Sequence, residues 1–546
     1  MSEAAWDYLI VTASNETQGN AYESQLARLR RTPLLNAFRR VMVVTDLEGR
    51  RIGSGGSTLL CLMRVLDQEL SALSLDSRAE GAIDQVLRRL RIMIIHAGGD
   101  SRRLPAYSPC GKIFIPVPGR EDSGTASTLF ERILPTFRAL PPGRPGTGQV
   151  LVTSGDVLLH FDSSQVRLDL PGLVALGAAD TPEHAAKHGV FVAHDHTVLR
   201  YLQKPRLDEQ HAAGAVSPHG HSILDIGVMS FDTEAVLKMM VAFEIGPGNH
   251  GRLDWSAATH VRIMTHGLDL YREVCCALGS ATTRKHYLDG VRASGSKWEE
   301  EALDQTFEIL HPIPFHLQTV PHCTFLHFGT TRQLISSGLH LMELDRGHPP
   351  ASTVVVLNSS IGHGGTLQGV NAWVEGCDVG ATLTLSGQNV VTGAAIRQNL
   401  TLPPGACLDL VPGRNRDGAP VFFLRCYHIG DTFKDSAIAG GTYCGRPLLH
   451  WMGTVGARPE EIWGPDEPVD KRGLWEARVF PTVSDPGAFY DWLWLFNVEQ
   501  ATPEQKTAFR AADRYSASEV ALRTHQAAFH ARRRELQGDN PSCDTH

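Results

Sequence analysis

At 546 residues the chain is too long for a single hydrophobic core and calls for two or three domains. Its 42% hydrophobic and 20% charged content is ordinary for a soluble globular protein, and a net charge of −8 excludes nucleic acid as the main partner. The N-terminus lacks a basic segment leading into an apolar one, and no apolar run is long enough to span a bilayer, so a cytoplasmic protein without leader or membrane anchor is expected.

Apolar runs at 8–12, 41–45, 92–95, 150–153 and 173–176 read as strands, with helices expected near 17–31, 57–73, 80–90 and 127–139. This alternation predicts an α/β fold, a mostly parallel sheet with helices on both faces, and such sheets bind ligands beyond the carboxyl ends of their strands. From about residue 350 charges thin out, and apolar residues recur roughly every six positions at Val379, Leu385 and Val391. That texture predicts rungs of a parallel β-helix, with an irregular β-rich domain as the alternative. The last hundred residues bring tryptophans, then capping boxes at Thr502-Pro503-Glu504-Gln505 and at Ser516 with Glu519, then a tail from Gly538 that reads as disordered. The expected domains are 1–345, 346–430 and 431–546. Ten cysteines without a Cys-x-x-Cys pair read as reduced thiols, neither a disulfide framework nor a zinc site.

The segment from His96 to Lys112 carries the most chemistry. It follows the apolar run Ile92-Met93-Ile94-Ile95 and reads His-Ala-Gly-Gly-Asp-Ser-Arg-Arg-Leu-Pro-Ala-Tyr-Ser-Pro-Cys-Gly-Lys. Gly98 and Gly99 allow close backbone approach to an anion, and successive N–H groups form a nest. Lys112 is the first lysine of the chain, after fourteen arginines, so an ammonium is specifically placed there. The alternative is a turn with solvated charges. Ser101 and Cys110 are read as a loop hydroxyl and an ordinary thiol, and His219 and His221 as solvated loop histidines without a third metal ligand.

With Arg103-Leu104-Pro105 and Gly111-Lys112-Ile113-Phe114, this segment resembles the fucose-1-phosphate guanylyltransferases and the N-terminal half of the bifunctional fucokinase/guanylyltransferases. Further matches are Trp6-Asp7-Tyr8, Val11 to Glu16, Gly53 to Thr58, Val152 to Asp156, Asp225-Ile226-Gly227 and Phe328-Gly329-Thr330, all in family order. The resemblance implies a Rossmann-like nucleotidyltransferase domain followed by a β-helix and a mixed C-terminal region. It also implies formation of GDP-β-L-fucose and pyrophosphate from GTP and L-fucose-1-phosphate with Mg²⁺. Nucleophile and leaving group are both anionic in that reaction, so the protein must mainly neutralise charge and align groups.

The resemblance implies Lys112 and Arg103 as the catalytic cations, with Arg102 at a family-variable, solvated position. Asp156 is implied as a Mg²⁺ ligand, although Gly-Asp is equally a common turn. Asp269 is implied as a second metal ligand or sugar contact, and Asp225 and Gly189 as sugar-side residues. Either aspartate could equally be structural. Lys204 resembles the lysine of a Glu-Lys-Pro motif that meets the sugar phosphate, with Gln203 in place of the acid. The Gly53, Gly55, Gly56 and Ser57 stretch opens a helix and is assigned to phosphate or base contact, against a plain capped turn. Ser14 and Asn15 are assigned to guanine, against helix capping.

Other nucleotides, other sugar phosphates, and a non-catalytic scaffold remain the competing readings. A kinase half is absent from the pattern, and monomer and homodimer are equally compatible with it.

Overall fold

The computed structural model describes residues 5–77, 79, 81–119, 127–248 and 252–537. They form two compact units: residues 1–99 with 130–325, and residues 100–129 with 326–546. The second unit therefore takes the basic part of the glycine-rich loop together with the C-terminal half. Among the described residues no helix is long and apolar enough to cross a membrane.

The first unit is built on β1 (Trp6–Ala13), α1 (Glu16–Leu29), β2 (Phe38–Thr45), α2 (Gly53–Ala72), β3 (Arg91–His96) and β4 (Gln149–Ser154). It continues through β5 (Leu173–Asp180), β6 (Gly189–His194), β7 (Thr197–Gln203), β8 (Ser222–Asp232) and β9 (Phe315–Thr319). The nine strands form one sheet in the order β2-β1-β3-β4-β8-β5-β9-β7-β6. The four runs read from sequence as 8–12, 41–45, 92–95 and 150–153 make the parallel half. Ile92 to Ile95 are fully buried, as a strand covered on both faces requires.

The expectation of a mostly parallel sheet is corrected here. β8 inserts antiparallel between β4 and β5, and β7 runs antiparallel to β6 and β9, so the sheet is mixed. The strands beyond 176 lacked the regular strand–helix spacing that signals crossovers: β6 and β7 pair as a hairpin, while β8 and β9 take partners distant in the chain.

In the second unit three stacks of parallel strands share one repeat. Val355, Trp373, Val390 and Cys407 are consecutive partners in the first stack, all fully buried. The six-residue spacing noted above has a geometric cause: Val379, Leu385 and Val391 belong to three different stacks and each points inward. The first stack then continues through antiparallel strands Pro420–His428, Phe480–Val483 and Arg514–Tyr515. Both capping boxes form, opening helices Pro503–Ala511 and Ala517–Arg523. The tail from Gly538 lies outside the described residues.

Candidate active site

The strand order reverses at β1. Its crossover through α1 leads to β2 on one side, while β3 and β4 lie on the other, and at such a switch point ligands bind in the crevice beyond the carboxyl ends of the strands. Two sequence-predicted loops meet there. An ideal Cβ on Gly98 would lie 3.6 Å from the Ser14 nitrogen. Thr12 Oγ1 accepts the N–H groups of Ala97 and Gly98 at 3.0 and 3.3 Å, and Gln18 Nε2 donates to the Gly99 carbonyl at 3.1 Å. Gly99 sits at φ +113° with open space where a Cβ would be. A side chain there would be strained, so glycine keeps the crevice wall bare.

At Asn15 the capping alternative holds. Its Oδ1 accepts the Gln18 N–H at 2.9 Å as the N-cap of α1. The buried Ser14 hydroxyl donates to Gln18 Oε1 at 3.0 Å. Both side chains are thus engaged at the start of α1, the capping role set against guanine contact.

The glycine-rich start of α2 is also corrected. The N–H groups of Gly55 and Gly56 donate to the Leu268 carbonyl at 2.8 and 3.2 Å, and Ser57 Oγ donates to Asp46 at 2.6 Å. A Cβ on Gly53 would fall 2.3 Å from the Leu268 carbonyl oxygen. These donors are therefore spent on protein, and the glycines serve close packing of two chain segments. The consequence reaches Asp269. The Leu270 N–H donates to Ser54 Oγ at 2.9 Å, and Asp269 Oδ1 accepts the N–H groups of Tyr271 and Arg272 at 2.9 and 3.0 Å.

Asp225, Asp269 and Asp156 all lie within electrostatic reach of the buried Tyr271 hydroxyl. Burial pushes that hydroxyl far up, and the neighbouring Asp225, Cys275, Asp269 and Asp156 push it further. Asp156 follows β4, half-buried, with the Ser154 hydroxyl donating to its Oδ1 at 3.0 Å. Asp225 sits at an irregularity of β8, where the register shifts between Asp225 and Met229 and Gly227 adopts φ +75°. This bulge aims the carboxylate: the Gly227 N–H donates to Oδ1 at 2.7 Å and the Tyr201 hydroxyl to Oδ2 at 2.8 Å.

Tyr201 had no sequence signal, because its partner lies 24 residues away. It also explains Gly189, which is corrected from a sugar contact to a space-maker. A Cβ there would fall 1.8 Å from the Tyr201 hydroxyl oxygen. Gly189→Ala is expected to cost about 1–3 kcal/mol as overpacking. Urea denaturation reads that cost, and a variant as stable as the parent would show that the ring yields freely.

Burial raises the Asp225 carboxyl from 3.8 to about 6, outweighing both hydrogen bonds that lower it. The folded chain holds this proton more tightly than the unfolded one. The associated stability is present in full below 3.8 and is lost as pH rises through about 6. Between about pH 4 and pH 7, wild type is expected to lose stability relative to Asp225→Asn, measured by urea titration at each pH. Parallel curves would remove the shift.

Beside this cluster lies a cavity of about 850 Å³ lined by Lys204, Arg200, Arg272, Asp269, Tyr201 and Gln203, among others. Lys204 is exposed and held at φ +51°, with its N–H donating to the His188 carbonyl at 3.0 Å. A lysine in the left-handed region signals a tertiary constraint on its direction. Gln203, standing where the family pattern has an acid, brings a buried Oε1 without a hydrogen-bond partner among the described residues.

Arg103 and Lys112 belong to the second unit. Arg103 is exposed, with its carbonyl accepting the Thr331 N–H at 2.9 Å. Lys112, half-buried, begins a short 3₁₀ turn Lys112–Phe114 after Gly111 at φ +72°. Arg102 instead pairs with Asp100 at 3.0 Å and lies over the Trp475 ring. Between these residues the chain is pinned through Tyr107. The Trp373 indole N–H donates to its hydroxyl at 2.8 Å, and that hydroxyl donates to Glu375 at 3.3 Å.

The family model described as fucose pyrophosphorylase domain matches residues 84–485. The bifunctional fucokinase/GDP-fucose pyrophosphorylase of Arabidopsis thaliana is 26% identical, covering 94% of this chain and 50% of that protein. The L-fucokinase/L-fucose-1-P guanylyltransferase of Bacteroides fragilis is 25% identical, covering 91% and 48%. The fucose-1-phosphate guanylyltransferase of Mus musculus is 27% identical, covering 60% and 56%. The chain thus spans about half the length of the curated relatives it matches. With the family model covering well over half of its residues, this chain belongs to the fucose pyrophosphorylase family.

Proposed function

We propose that the chain transfers a guanylyl group from GTP to L-fucose-1-phosphate, giving GDP-β-L-fucose and pyrophosphate, and that it does so in the cytoplasm. Family membership carries the choice of substrates. The cavity lined by Lys204 together with Asp269, Arg200 and Arg272 supports the reaction type. An oxygen of the sugar phosphate attacks the α-phosphorus, and the bond to the pyrophosphate leaving group breaks. Lys204 neutralises the incoming sugar phosphate, and Arg103 and Lys112 neutralise the triphosphate. The bare wall at Gly98 and Gly99 admits the nucleotide to the switch-point crevice. Asp225, fixed by Tyr201 and the Gly227 N–H, accepts a sugar hydroxyl.

Mg²⁺ suits the carboxylates present. It is commonly held through one or two carboxylates plus substrate phosphates. Among the described residues no group of three or more His, Cys, Asp or Glu forms an all-protein cage. Asp156 and Asp269 would hold it, and the ion when bound supplies charge neutralisation at the phosphates. The stacked strands of the second unit we read as a β-helix carrying the Arg103 and Lys112 segment.

Pyrophosphate release with Mg²⁺ tests the reading, with GTP, UTP, ATP and CTP each set against L-fucose-1-phosphate and other sugar-1-phosphates. Turnover confined to GTP and fucose-1-phosphate is expected. Turnover with another pair would replace the substrates, and no turnover from folded protein would favour a scaffold.

A further inference from the structure

The helix Gln526–Leu536 lies beyond residue 485, where the match to the family model ends, and no step of the proposed reaction uses it. It nevertheless touches the segment that separates Arg103 from Lys112. Within the second unit residues 104–111 are all buried, between an exposed Arg103 and a half-buried Lys112. Local turns give this segment its shape. The Leu104 N–H donates to the Ser101 carbonyl at 2.8 Å, Ser108 Oγ to the Pro105 carbonyl at 2.9 Å, and the Gly111 N–H to the Tyr107 carbonyl at 2.9 Å.

Its place is set by distant groups at three consecutive residues. The Trp373 indole holds the Tyr107 hydroxyl, the fully buried Arg425 reaches Ser108 Oγ through Nη1 at 3.4 Å, and Gln526 Nε2 donates to the Pro109 carbonyl. The third contact is the one nearest Lys112. The Pro109 carbonyl belongs to the planar peptide that enters Cys110, so fixing it sets the direction in which the chain runs on to Gly111, at φ +72°, and to the lysine.

Gln526 is itself firmly mounted. Thr524 bridges Gly413 antiparallel, and the His525 N–H donates to the Pro412 carbonyl at 2.9 Å, which ties the helix start to the strand Ala406–Arg414. His525 Nδ1 then accepts the Ala528 N–H at 3.1 Å as the N-cap, and Arg533 secures the helix further along by its ion pair with Glu375. Only the NH₂ end of a carboxamide can meet a carbonyl. Gln526 Oε1 is left buried without a hydrogen-bond partner among the described residues, so one end of the amide goes unsatisfied while the other holds Pro109.

We propose that Gln526 is a positioning residue, whose carboxamide holds the 104–111 segment so that Arg103 and Lys112 are presented at a fixed spacing. The proposal rests on the reading of those two cations as the groups that neutralise the triphosphate.

The test compares Gln526→Glu, which keeps the side chain's size and removes the donor, and Gln526→Leu, which removes the donor without adding charge. Arg534→Ala, an exposed change on the same helix, is the control. Both Gln526 variants of the full chain are expected to lose about tenfold or more in kcat for GTP and L-fucose-1-phosphate, since small displacements of aligned groups carry large rate costs. KM for the sugar phosphate should hold, because Lys204 belongs to the other unit. Hydrogen exchange should quicken across residues 104–114 alone, with the urea midpoint near wild type and the control at wild-type values throughout. Wild-type exchange across 104–114 in both variants would overturn the proposal. So would quickened exchange with kcat unchanged, or equal losses in Arg534→Ala. Wild-type protein without turnover would strike the reaction instead, and exchange would still decide whether Gln526 holds the segment.

Discussion

Lys112→Ala is expected to lower the rate of GTP-dependent pyrophosphate release by about 10²–10³-fold, the usual effect of removing one preorganised group that stabilises developing charge. The ammonium is set on a constrained backbone: Gly111 adopts φ +72°, and Ile113 and Phe114 are buried within the turn that Lys112 begins. Removing the half-buried side chain leaves that packing in place, so circular dichroism and the unfolding midpoint should stay near wild type. Lys112→Arg should recover only part of the rate, because a planar fork cannot occupy the place of a point charge. Near-normal turnover in the alanine variant would take this lysine out of the mechanism.

Arg533→Ala should have the largest effect on stability, about 3–5 kcal/mol, because it strands a buried carboxylate. Glu375 is fully buried in the first stack of the second unit and receives Arg533 Nη2 at 2.7 Å and Nε at 2.8 Å. Asn358 donates to the same carboxylate at 2.8 Å, and Tyr107 approaches it at 3.3 Å. One charge thus fastens the C-terminal helix Gln526–Leu536 and the chain between Arg103 and Lys112 to the stack. Urea unfolding measures the cost. A loss below about 1 kcal/mol would mean that water replaces the guanidinium, as at an exposed pair.

Much of the candidate site was legible because its chemistry is written in local strings. The apolar run before Gly98-Gly99 announced a strand end, and the strand end placed the loop at the switch-point crevice. Asp156 and Lys204 were equally visible, each close to a strand terminus. Two of the errors share one cause. Gly53, Gly55, Gly56 and Ser57 have the composition of an anion loop, yet Leu268, more than 200 residues away, takes the N–H groups of Gly55 and Gly56. Gly189 is a glycine only because Tyr201 must reach Asp225. A glycine that admits a ligand and one that admits a neighbouring side chain look identical in sequence.

The sequence by itself determined the strands of the parallel half, the helices between them, the capping boxes and the six-residue texture of the stacks. These follow from periodicity and from groups a few residues apart, which interact before any tertiary contact exists. Tertiary structure decided the antiparallel insertion of β8, the burial that raises Asp225, the Tyr201–Asp225 hydrogen bond for which Gly189 leaves room, and the Glu375–Arg533 lock. Each depends on which distant segments share a low-dielectric interior, and the cost of burying a charge or the gain from pairing it arises only once those segments have met.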